Sequence, residues 1–334
     1  MYKTLQIDNP QSIALKEVMT SQYKLKNTEV QLKPIIGGIC GSDVSVYNGK
    51  FAHAKYPIIP GHEVVAEVIA KGQDVKYEIG SKVIIVPNSF CDQCENCKRG
   101  RRNICLHKES LGVNVDGVFS SHFCIDTKYV LPVPDGISLE RSTLTEPFAV
   151  IIHAIKKIDI EKGQSIAIIG CGTEGMLAAS LTHFYGGVVT VIDVQQQKLD
   201  HIQQSQPQLN VCLPHQVGNQ KFDLVIECAG VKSSVEQAFD IVKPGGEIIL
   251  IGLTPEATMP VTKLVRSEVT IYGSIIYDFP EDFEKSVEVL SDPNMKVDHI
   301  ISKIYPLKDF KKAYEDACSG KYGKVLISFD DENR

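Results

Sequence analysis

The spacing of apolar residues changes near residue 145. Before that point, short apolar runs are separated by glycine and proline, as at 31–41, 63–72 and 81–88. Runs of this length, with few helical repeats among them, are typical of short strands in a small β structure. We therefore predict a β-rich, barrel-like unit for this first part of the chain.

After residue 145, short apolar runs alternate with segments of helical periodicity. This alternation predicts βαβ units and therefore a parallel sheet covered by helices. The segment 269–277 is expected to close the sheet, an amphipathic helix is expected at 281–290, and a terminal strand at 324–329 is expected to return to the first unit. The predicted strands of the sheet are 165–170, 188–193, 222–230 and 245–253, and the predicted helices are 175–185, 195–204 and 233–242.

Composition limits the class of protein. A chain of 334 residues predicts two domains, because domains average about 150 residues. Hydrophobic residues make up 43% and charged residues 23%, which excludes fibrous and disordered classes. The sequence has no apolar run long enough for a membrane span and no basic segment followed by an apolar one at residues 1–10, so we expect neither a membrane protein nor a secretory leader. The net charge of −6 argues against nucleic acid as a partner.

Four of the ten cysteines lie within fifteen residues, at Cys91, Cys94, Cys97 and Cys105. In a long chain without a secretory leader, this concentration favours a metal site in a reducing cytosol over disulfides. The pattern Cx2Cx2Cx7C suits four thiolates on one tetrahedral zinc, and a closed set of four ligands predicts a structural ion. We expect this zinc lobe at about 88–108, with its negative charge offset by Lys98, Arg99, Arg101, Arg102 and Lys108.

A glycine-rich turn follows the first strand of the predicted parallel sheet. It reads Gly170-Cys171-Gly172-Thr173-Glu174-Gly175, which matches GxGxxG between a strand and a helix. In that context the glycines let backbone amides approach a pyrophosphate, and the helix N-terminus favours its negative charge. Asp193 ends the next strand, 18 residues beyond Gly175, where a carboxylate accepts both hydroxyls of the adenosine ribose and repels a 2′-phosphate. The predicted cofactor is NAD rather than NADP.

Six features together resemble the medium-chain, zinc-dependent alcohol and polyol dehydrogenases over essentially the whole chain. They are the Cys-Gly-Ser-Asp turn (40–43), the Gly-His-Glu turn (61–63), the four-cysteine lobe, Glu146-Pro147, GxGxxG and Asp193. Glu146 before Pro147 and the segment 273–277 make the chain most similar to the sorbitol, butanediol, hexitol-phosphate and sugar-acid dehydrogenases. The resemblance implies an α/β protein with a GroES-like β-rich catalytic domain (1–145 and 280–334), a Rossmann doubly wound parallel sheet that binds NAD (146–279), and an active site in the cleft between them.

The chemistry of such an enzyme requires a second, open zinc site. Hydride leaves a secondary alcohol easily only as its alkoxide, and zinc lowers the pKa of a bound hydroxyl. A zinc with this role needs about three protein ligands and one vacant position. Cys40 and His62 are candidate ligands, and the third is Glu63 or Glu146. Because zinc with Cys40 and both carboxylates would carry a net negative charge, we expect one carboxylate on the metal at a time, an exchange that the resemblance also implies.

Other residues take roles around this zinc. Asp43 is expected to accept a hydrogen bond from the second ring nitrogen of His62 and so to fix its tautomer. Ser42 is expected to bond the substrate oxygen and to begin the proton path. By resemblance alone, backbone groups hold the nicotinamide half of the cofactor near Gly230, Gly252, Ser274 and Ile275.

Two positions depart from the family pattern. Polyol relatives often carry a histidine where this chain has Ser45, so we expect the proton relay to run through Ser45, Tyr47 or His53, or through water. Relatives usually carry Ile or Val, packed near the nicotinamide, where this chain has Glu174. A carboxylate there would favour the cationic NAD⁺, unless it faces solvent or a lysine.

The combined prediction is a zinc-containing, NAD-dependent dehydrogenase with two zinc ions per chain, acting on a secondary alcohol of a polyol, sugar alcohol or sugar acid. Lys50, His53 and Lys55 would suit a substrate phosphate or carboxylate, although a solvated loop is the more common explanation. The alternatives are reduction of a ketose or ketose phosphate, and a non-catalytic redox-sensing zinc protein on the same fold. We expect a cytoplasmic homodimer or homotetramer, with 269–277 extending the sheet across subunits and no nucleic-acid or membrane partner.

Overall fold

The structure is a computed structural model and describes residues 2–19, 24–51 and 54–330. It forms two compact units, of which the first contains the described residues up to Glu146, Ile301–Ser319 and those from Lys324 onward. The second contains Pro147–Ile300 and Gly320–Gly323. The predicted domain boundaries were 145 and 280, so the second unit extends further along the chain than expected.

The elements follow in chain order. Those before residue 145 are β1 (Tyr2–Asn9), β2 (Ser12–Val18), β3 (Glu29–Ile39), α1 (Gly41–Tyr47), β4 (Glu63–Lys71), β5 (Lys82–Ile85), α2 (Glu95–Lys98), β6 (Phe123–Asp126), β7 (Val130–Pro132) and α3 (Leu139–Ser142). Next are α4 (Thr145–Ile155), β8 (Ser165–Ile169), α5 (Thr173–Phe184), β9 (Val188–Ile192), α6 (Gln196–Ser205), β10 (Asn210–Cys212), β11 (Phe222–Glu227), α7 (Lys232–Ile241), β12 (Val242–Leu250), α8 (Val261–Arg266), β13 (Thr270–Gly273) and α9 (Glu281–Ser291). The last are β14 (Ile301–Pro306), α10 (Phe310–Ser319) and β15 (Lys324–Ser328).

The first unit is built on a mixed sheet. Its strand order is β14-β15-β3-β4-β5-β7, with β6 paired to the first half of β3. All pairs in this sheet are antiparallel except β14 with β15. β3 is long and rich in β-branched residues, and its buried Val30 and Leu32 pack in the core of the unit. The β-rich prediction for the first part of the chain is confirmed, and the terminal strand returns to this sheet beside β3.

The second unit is built on a parallel sheet with the order β10-β9-β8-β11-β12-β13. Its central strands β8 and β11 are buried over nearly their whole length, as expected of a sheet covered on both faces. The strand order reverses direction between β8 and β11, and ligands of such sheets bind at this switch point, outside the carboxyl ends of the strands. The predicted Rossmann-type α/β architecture is confirmed.

One helix lies outside its predicted domain. We expected the helix at 281–290 in the first unit, but α9 belongs to the second. Asp282 at the start of α9 is buried, and it accepts hydrogen bonds from His153 Nδ1 at 2.8 Å and Lys156 Nζ at 2.7 Å. These contacts tie α9 to α4 and its C-terminal extension. No helix within the described ranges combines the length and the apolar character needed to cross a bilayer.

Candidate active site and metal centres

Three neighbouring strands of the first unit bring together residues that are distant in sequence. Cys40 directly follows the last residue of β3, and Glu63 at the start of β4 pairs with Gly38 of β3. On the other side of β3, Lys324 directly precedes Val325, which pairs with Ile39. The register of β15, β3 and β4 therefore places Lys324, Cys40 and the Gly-His-Glu turn at one end of the sheet.

The predicted ligands Cys40, His62 and Glu63 form a tight group. One ligand atom from each lies within 4.8 Å of the others, and His62 and Glu63 are buried. Ser42 Oγ lies 3.3 Å from His62 Nε2, so the predicted substrate-binding hydroxyl is at this site. The donor set of one thiol, one imidazole and one carboxylate suits an open zinc site, because catalytic zinc keeps three protein ligands and a free position.

Glu146 is the candidate that the structure does not bring into this group. It lies in the first turn of α4 and is buried, but the group within 4.8 Å contains Glu63 and no other carboxylate from the described parts of the chain. Of the two predicted alternatives for the third ligand, Glu63 is the one beside Cys40 and His62 here.

Asp43 lies behind His62. Its side chain is fully buried and accepts hydrogen bonds from the backbone N–H groups of Gly61 and Cys40, each at 3.0 Å. His62 Nδ1 is 3.5 Å from Asp43 Oδ1 and makes no hydrogen bond within the described residues, so the expected bond is present only as a longer charge contact. Nε2 lies on the side of Ser42. Burial alone would raise the pKa of Asp43, but the charge of His62 and the backbone donors outweigh it and lower that pKa. The pKa of His62 is raised well above its usual value, because the Asp43 carboxylate overcomes the opposing effect of burial.

Lys324 is a site residue that the sequence analysis missed. Its Nζ lies 2.7 Å from Glu63 Oε1 and 2.6 Å from Glu63 Oε2, and both side chains are almost completely buried. A Cβ at Gly38 would overlap Glu63 Oε2 and touch the Lys324 stem. The glycine pair before Cys40 was therefore a signal of close packing, although it did not name the lysine. With Lys324 present, the charge of Glu63 is compensated without a metal.

The predicted relay residues are committed to backbone groups. Ser45 Oγ donates to Gly41 O at 2.9 Å and Tyr47 OH donates to Gln11 O at 3.3 Å. His53 lies outside the described residues. Lys50 and Lys55, the candidates for a substrate anion, are both exposed.

The four-cysteine lobe has the geometry of a structural zinc site. The Sγ atoms of Cys91 and Cys105 are 3.5 Å apart, and the pairs Cys91–Cys97 and Cys94–Cys105 are each 4.0 Å apart. Four thiolates at the usual Zn–S distance of about 2.3 Å would lie about 3.8 Å from each other. The four cysteines of the lobe therefore fit a zinc ion. Cys94 is the N-cap of α2, and the backbone N–H groups of Cys97 and Leu106 lower the pKa of its thiol to about 6.

The basic residues around the lobe do not all offset its charge as expected. Arg102 Nε donates to Asp92 at 2.8 Å, and its guanidinium lies 4.5 Å from the centre of the Phe90 ring. Lys108 Nζ donates to the carbonyl of Asn103 at 3.0 Å. Arg102 is therefore paired with a carboxylate of the lobe's own surface rather than with the thiols.

The glycine-rich turn of the second unit has the predicted form. Gly170 has φ +102°, and a Cβ at Gly175 would overlap the Gly170 carbonyl, so the turn requires glycine at both positions. Gly172 is the N-cap of α5, and a Cβ there would meet no atom within 4 Å, which leaves the helix N-terminus open to a pyrophosphate. Asp193 accepts from Cys171 N at 2.7 Å and from Gln195 N at 2.8 Å. The turn and its acidic partner therefore fit a dinucleotide.

The residues expected at the nicotinamide half lie in loops after β11, β12 and β13. Gly230 has φ +66°, and a Cβ at Gly252 would overlap its backbone, so these two loops touch. Ser274 is buried and follows β13, and Ile275 beside it is partly exposed. All four residues lie at the carboxyl edge of the parallel sheet.

Two family models match separate parts of the chain. Residues 26–135 match the family model of the alcohol dehydrogenase GroES-like domain, and residues 175–292 match that of the zinc-binding dehydrogenases. The chain is 30% identical over 314 residues to sorbitol dehydrogenase of Bacillus subtilis strain 168, covering 89% of this chain and 88% of that protein. It is 27% identical over 314 residues to L-galactonate-5-dehydrogenase of Escherichia coli K12, covering 90% and 92%. The crystal structure of galactitol-1-phosphate dehydrogenase from Escherichia coli superimposes with a TM-score of 0.87 and 27% identity, covering 98% of this chain and 99% of that one.

Proposed function

This chain belongs to the family of zinc- and NAD-dependent medium-chain alcohol and polyol dehydrogenases. We propose that it oxidises a secondary alcohol of a polyol or sugar acid, and that the reaction takes place at the site formed by Cys40, His62 and Glu63. One observation carries the proposal: a thiol, an imidazole and a carboxylate converge within 4.8 Å at the end of a sheet, beside the hydroxyl of Ser42. A closed four-thiolate set, as in the lobe, has no room for a substrate, whereas three mixed ligands leave one position for it.

The role of each residue follows from its contacts. When bound here, zinc would lower the pKa of the substrate hydroxyl. Cys40 and His62 would hold it, and Asp43 would keep Nε2 of His62 turned toward it. Ser42 Oγ, 3.3 Å from that nitrogen, would accept a hydrogen bond from the substrate hydroxyl, take up its proton and release its own proton to solvent water.

Lys324 would control the third ligand. Since Lys324 binds both oxygens of Glu63, it would reduce the negative charge that this carboxylate brings to a bound zinc, and so would favour loss of the substrate's hydroxyl proton. Glu63 and Glu146 remain the two candidate carboxylates, one on the metal at a time. The ion pair with Lys324 offsets the charge of Glu63 whether this carboxylate binds the metal or stands back from it.

The cofactor would bind along the carboxyl edge of the parallel sheet. Gly170, Gly172, Thr173, Glu174 and Gly175 would form the pyrophosphate turn. Asp193 favours NAD over NADP, because a carboxylate repels a 2′-phosphate. Backbone groups near Gly230, Gly252, Ser274 and Ile275 would hold the nicotinamide half.

The substrate class is proposed from the relatives. Those described above act on sorbitol, L-galactonate and galactitol 1-phosphate by their names. All three carry several hydroxyl groups, and two carry an anionic group that exposed Lys50 or Lys55 would suit. The reverse reaction, reduction of a ketose or ketose phosphate, uses the same site.

The experiment that tests this function is a zinc count followed by a substrate screen. Elemental mass spectrometry should find two zinc ions per chain in the purified protein and one in Cys40→Ser. Sorbitol, galactitol 1-phosphate and galactonate with NAD⁺ should then give NADH with the unaltered protein only. One zinc in both proteins, with no NAD-linked activity, would contradict the proposal and favour the redox-sensing alternative. The thiols outside the two metal groups give that alternative little support, because burial raises the pKa of Cys171 to about 12 and that of Cys228 well above its usual value.

Assembly and location are also proposed. β13 is an edge strand of the parallel sheet, and the neighbouring segment exposes Met259, Val261 and Val265, which supports a homodimer or homotetramer that continues the sheet across subunits. Light scattering should report at least a dimer, and Val265→Glu should shift it toward the monomer. All ten cysteines lie in the described residues and none forms a disulfide, which supports a cytoplasmic location.

A further inference from the structure

The carboxyl edge of the parallel sheet holds two carboxylates that binding of a pyrophosphate does not explain. Glu227 is the last residue of β11, and Glu174 lies in the first turn of α5. A dinucleotide crosses such a sheet at the switch point between β8 and β11. Since Asp193 marks the adenosine side, beyond β9, the nicotinamide side is that of β11 and β12. Glu227 lies on this second side.

Glu227 holds both loops of the nicotinamide side. Its Oε1 accepts from Ala229 N at 2.8 Å, Gly230 N at 2.9 Å and Ser234 Oγ at 2.6 Å. Its main-chain oxygen accepts from Ile251 N at 3.0 Å and Gly252 N at 3.1 Å. One residue therefore fixes the backbone after β11 and the backbone after β12.

The second carboxylate oxygen of Glu227, Oε2, does not hold either loop through a hydrogen bond. Glu227 is 0% exposed, and its Oε2 has no hydrogen-bond partner in the described parts of the chain. A Cβ at Gly252 would lie 2.6 Å from that oxygen, so the oxygen faces the loop that is expected to hold the cofactor. A buried carboxylate without a cation is unfavourable. Glu227 therefore fixes an uncompensated negative charge directly beneath the loop that is expected to hold the nicotinamide half.

Glu174 adds charge at the same place. Among the described residues neither Glu174 nor Glu227 forms an ion pair with a lysine or arginine. Both carboxylates act on Cys228, the first residue of the loop after β11: the pKa of its thiol is raised by burial first, then by Glu227 and then by Glu174. Helix α5 begins at the turn that follows β8, and β8 pairs with β11. Glu174 in its first turn therefore lies at the switch point, where the dinucleotide crosses to the nicotinamide side.

We propose that Glu174 and Glu227 are specificity-determining residues that select the oxidised form of the cofactor. The nicotinamide ring of NAD⁺ is cationic and that of NADH is neutral, so a fixed negative charge stabilises one form and is indifferent to the other. The inference rests on the proposed function, in which NAD binds at this edge. Its consequence is weak retention of NADH, so that product inhibition during alcohol oxidation is small.

The test compares equilibrium affinities rather than turnover. Calorimetry with NAD⁺ and the fluorescence of NADH give the ratio of the two dissociation constants for the unaltered protein, Glu174→Gln and Glu227→Gln. Each variant should lose affinity for NAD⁺ and keep that for NADH, which moves the ratio by about tenfold. The matched control is Glu161→Gln, which makes the same charge change at an exposed residue before β8, on the opposite edge of the sheet. Glu161→Gln should move the ratio by less than about twofold, because distance and salt screen the effect of this charge on the cofactor.

Two results would overturn the inference. An unchanged ratio in Glu174→Gln means that the carboxylate does not act on the ring, and equal losses of both affinities mean that it acts on the pyrophosphate or on the loop. Glu174 is half-buried on a helix surface and makes no hydrogen bond through its side chain in the described residues, so this variant decides the question even if Glu227→Gln does not fold. If the unaltered protein binds neither form, the proposed function fails as well. If both forms bind but the variants leave the ratio of the two dissociation constants unchanged, the selectivity inference fails and the proposed function stands.

Discussion

The two metal sites of the first unit are assembled on different scales. The lobe takes all four thiols from Cys91 to Cys105, and the tight turn of α2 supplies backbone N–H groups to their sulfurs. The open site takes Cys40 from the end of β3, His62 and Glu63 from the start of β4, and the counter-charge from β15. Lys324 and Glu63 are 261 positions apart in sequence. The lobe needs only its own loop, whereas the open site needs three strands in register.

Their electrostatics differ for the same reason. In the lobe, backbone N–H groups lower the pKa of Cys94 to about 6, and burial together with the neighbouring thiols raises that of Cys97 to about 12. Both shifts come from groups of the lobe itself. At the open site, burial first and the Glu63 charge second raise the pKa of Cys40. There the charges of residues from other elements, chiefly Lys324 of β15 and Asp43 of α1, set the conditions for the metal. Damage to distant packing should therefore affect the open site and spare the lobe.

Removal of Lys324 should have the largest effect. Lys324→Met leaves Glu63 buried without its cation, and breaking one partner of a buried ion pair costs about 3–5 kcal/mol of folding free energy. Turnover should fall by about a hundredfold, because the freed carboxylate adds negative charge to the metal. Urea unfolding and steady-state kinetics measure the two effects.

The double variant Lys324→Met/Glu63→Gln is the matched control for that pair. Because it removes both charges, it should recover most of the lost stability. The single variant Lys324→Met should still hold two zinc ions per chain. Loss of the lobe zinc in Lys324→Met would contradict the independence of the two sites.

Asp43→Asn should have an intermediate effect, confined to the open site. The carboxylate behind His62 would become an amide, which supports the imidazole less strongly. Partners of this kind change metal affinity by about 10–100-fold when they are altered. Competition with a chelator should show one zinc leaving earlier than in the unaltered protein, while the second leaves at the same concentration. Earlier loss of both ions would mean that the sites are coupled.

Removal of a lobe thiol should have the opposite effect, with the lobe zinc lost and the zinc of the open site retained. Cys97→Ser should lose one zinc and lower the midpoint of thermal unfolding, since structural zinc contributes directly to folding. Turnover of the folded fraction should stay within about tenfold of the unaltered protein, because the open site takes nothing from this loop. The control is Cys212→Ser, a half-buried thiol in the second unit. A complete loss of turnover in Cys97→Ser, with the second zinc retained, would show that the lobe shapes the active site.

The same contrast explains what could be predicted from the sequence. The lobe and the glycine-rich turn are coded by spacing within a few residues, so Cys91 to Cys105 and Gly170 to Gly175 could be read directly. Cys40 and His62 were recognisable as short motifs. Lys324 was not, because only the antiparallel pairing of β15 with β3 gives it a partner. Glu227 was missed for a similar reason: a glutamate at the end of an apolar strand shows its function only when the loops that it holds are seen. The position of α9 depended on the contacts of Asp282 with His153 and Lys156, which no local pattern encodes.

The smallest effect is expected at the surface of the lobe, where it tests whether basic residues stabilise the four-thiolate site. Arg102 is bonded to Asp92, and these side chains are 36% and 50% exposed; exposed pairs of this kind contribute about 0–1 kcal/mol. Arg102→Gln should therefore lower the free energy of unfolding by no more than that amount, with two zinc ions retained. Asp92→Asn should have a similar effect, because both variants break the same contact. If Arg102→Gln releases the lobe zinc at a lower chelator concentration while Asp92→Asn does not, the guanidinium acts on the thiolates themselves, and charge compensation, as at Lys324, governs both sites.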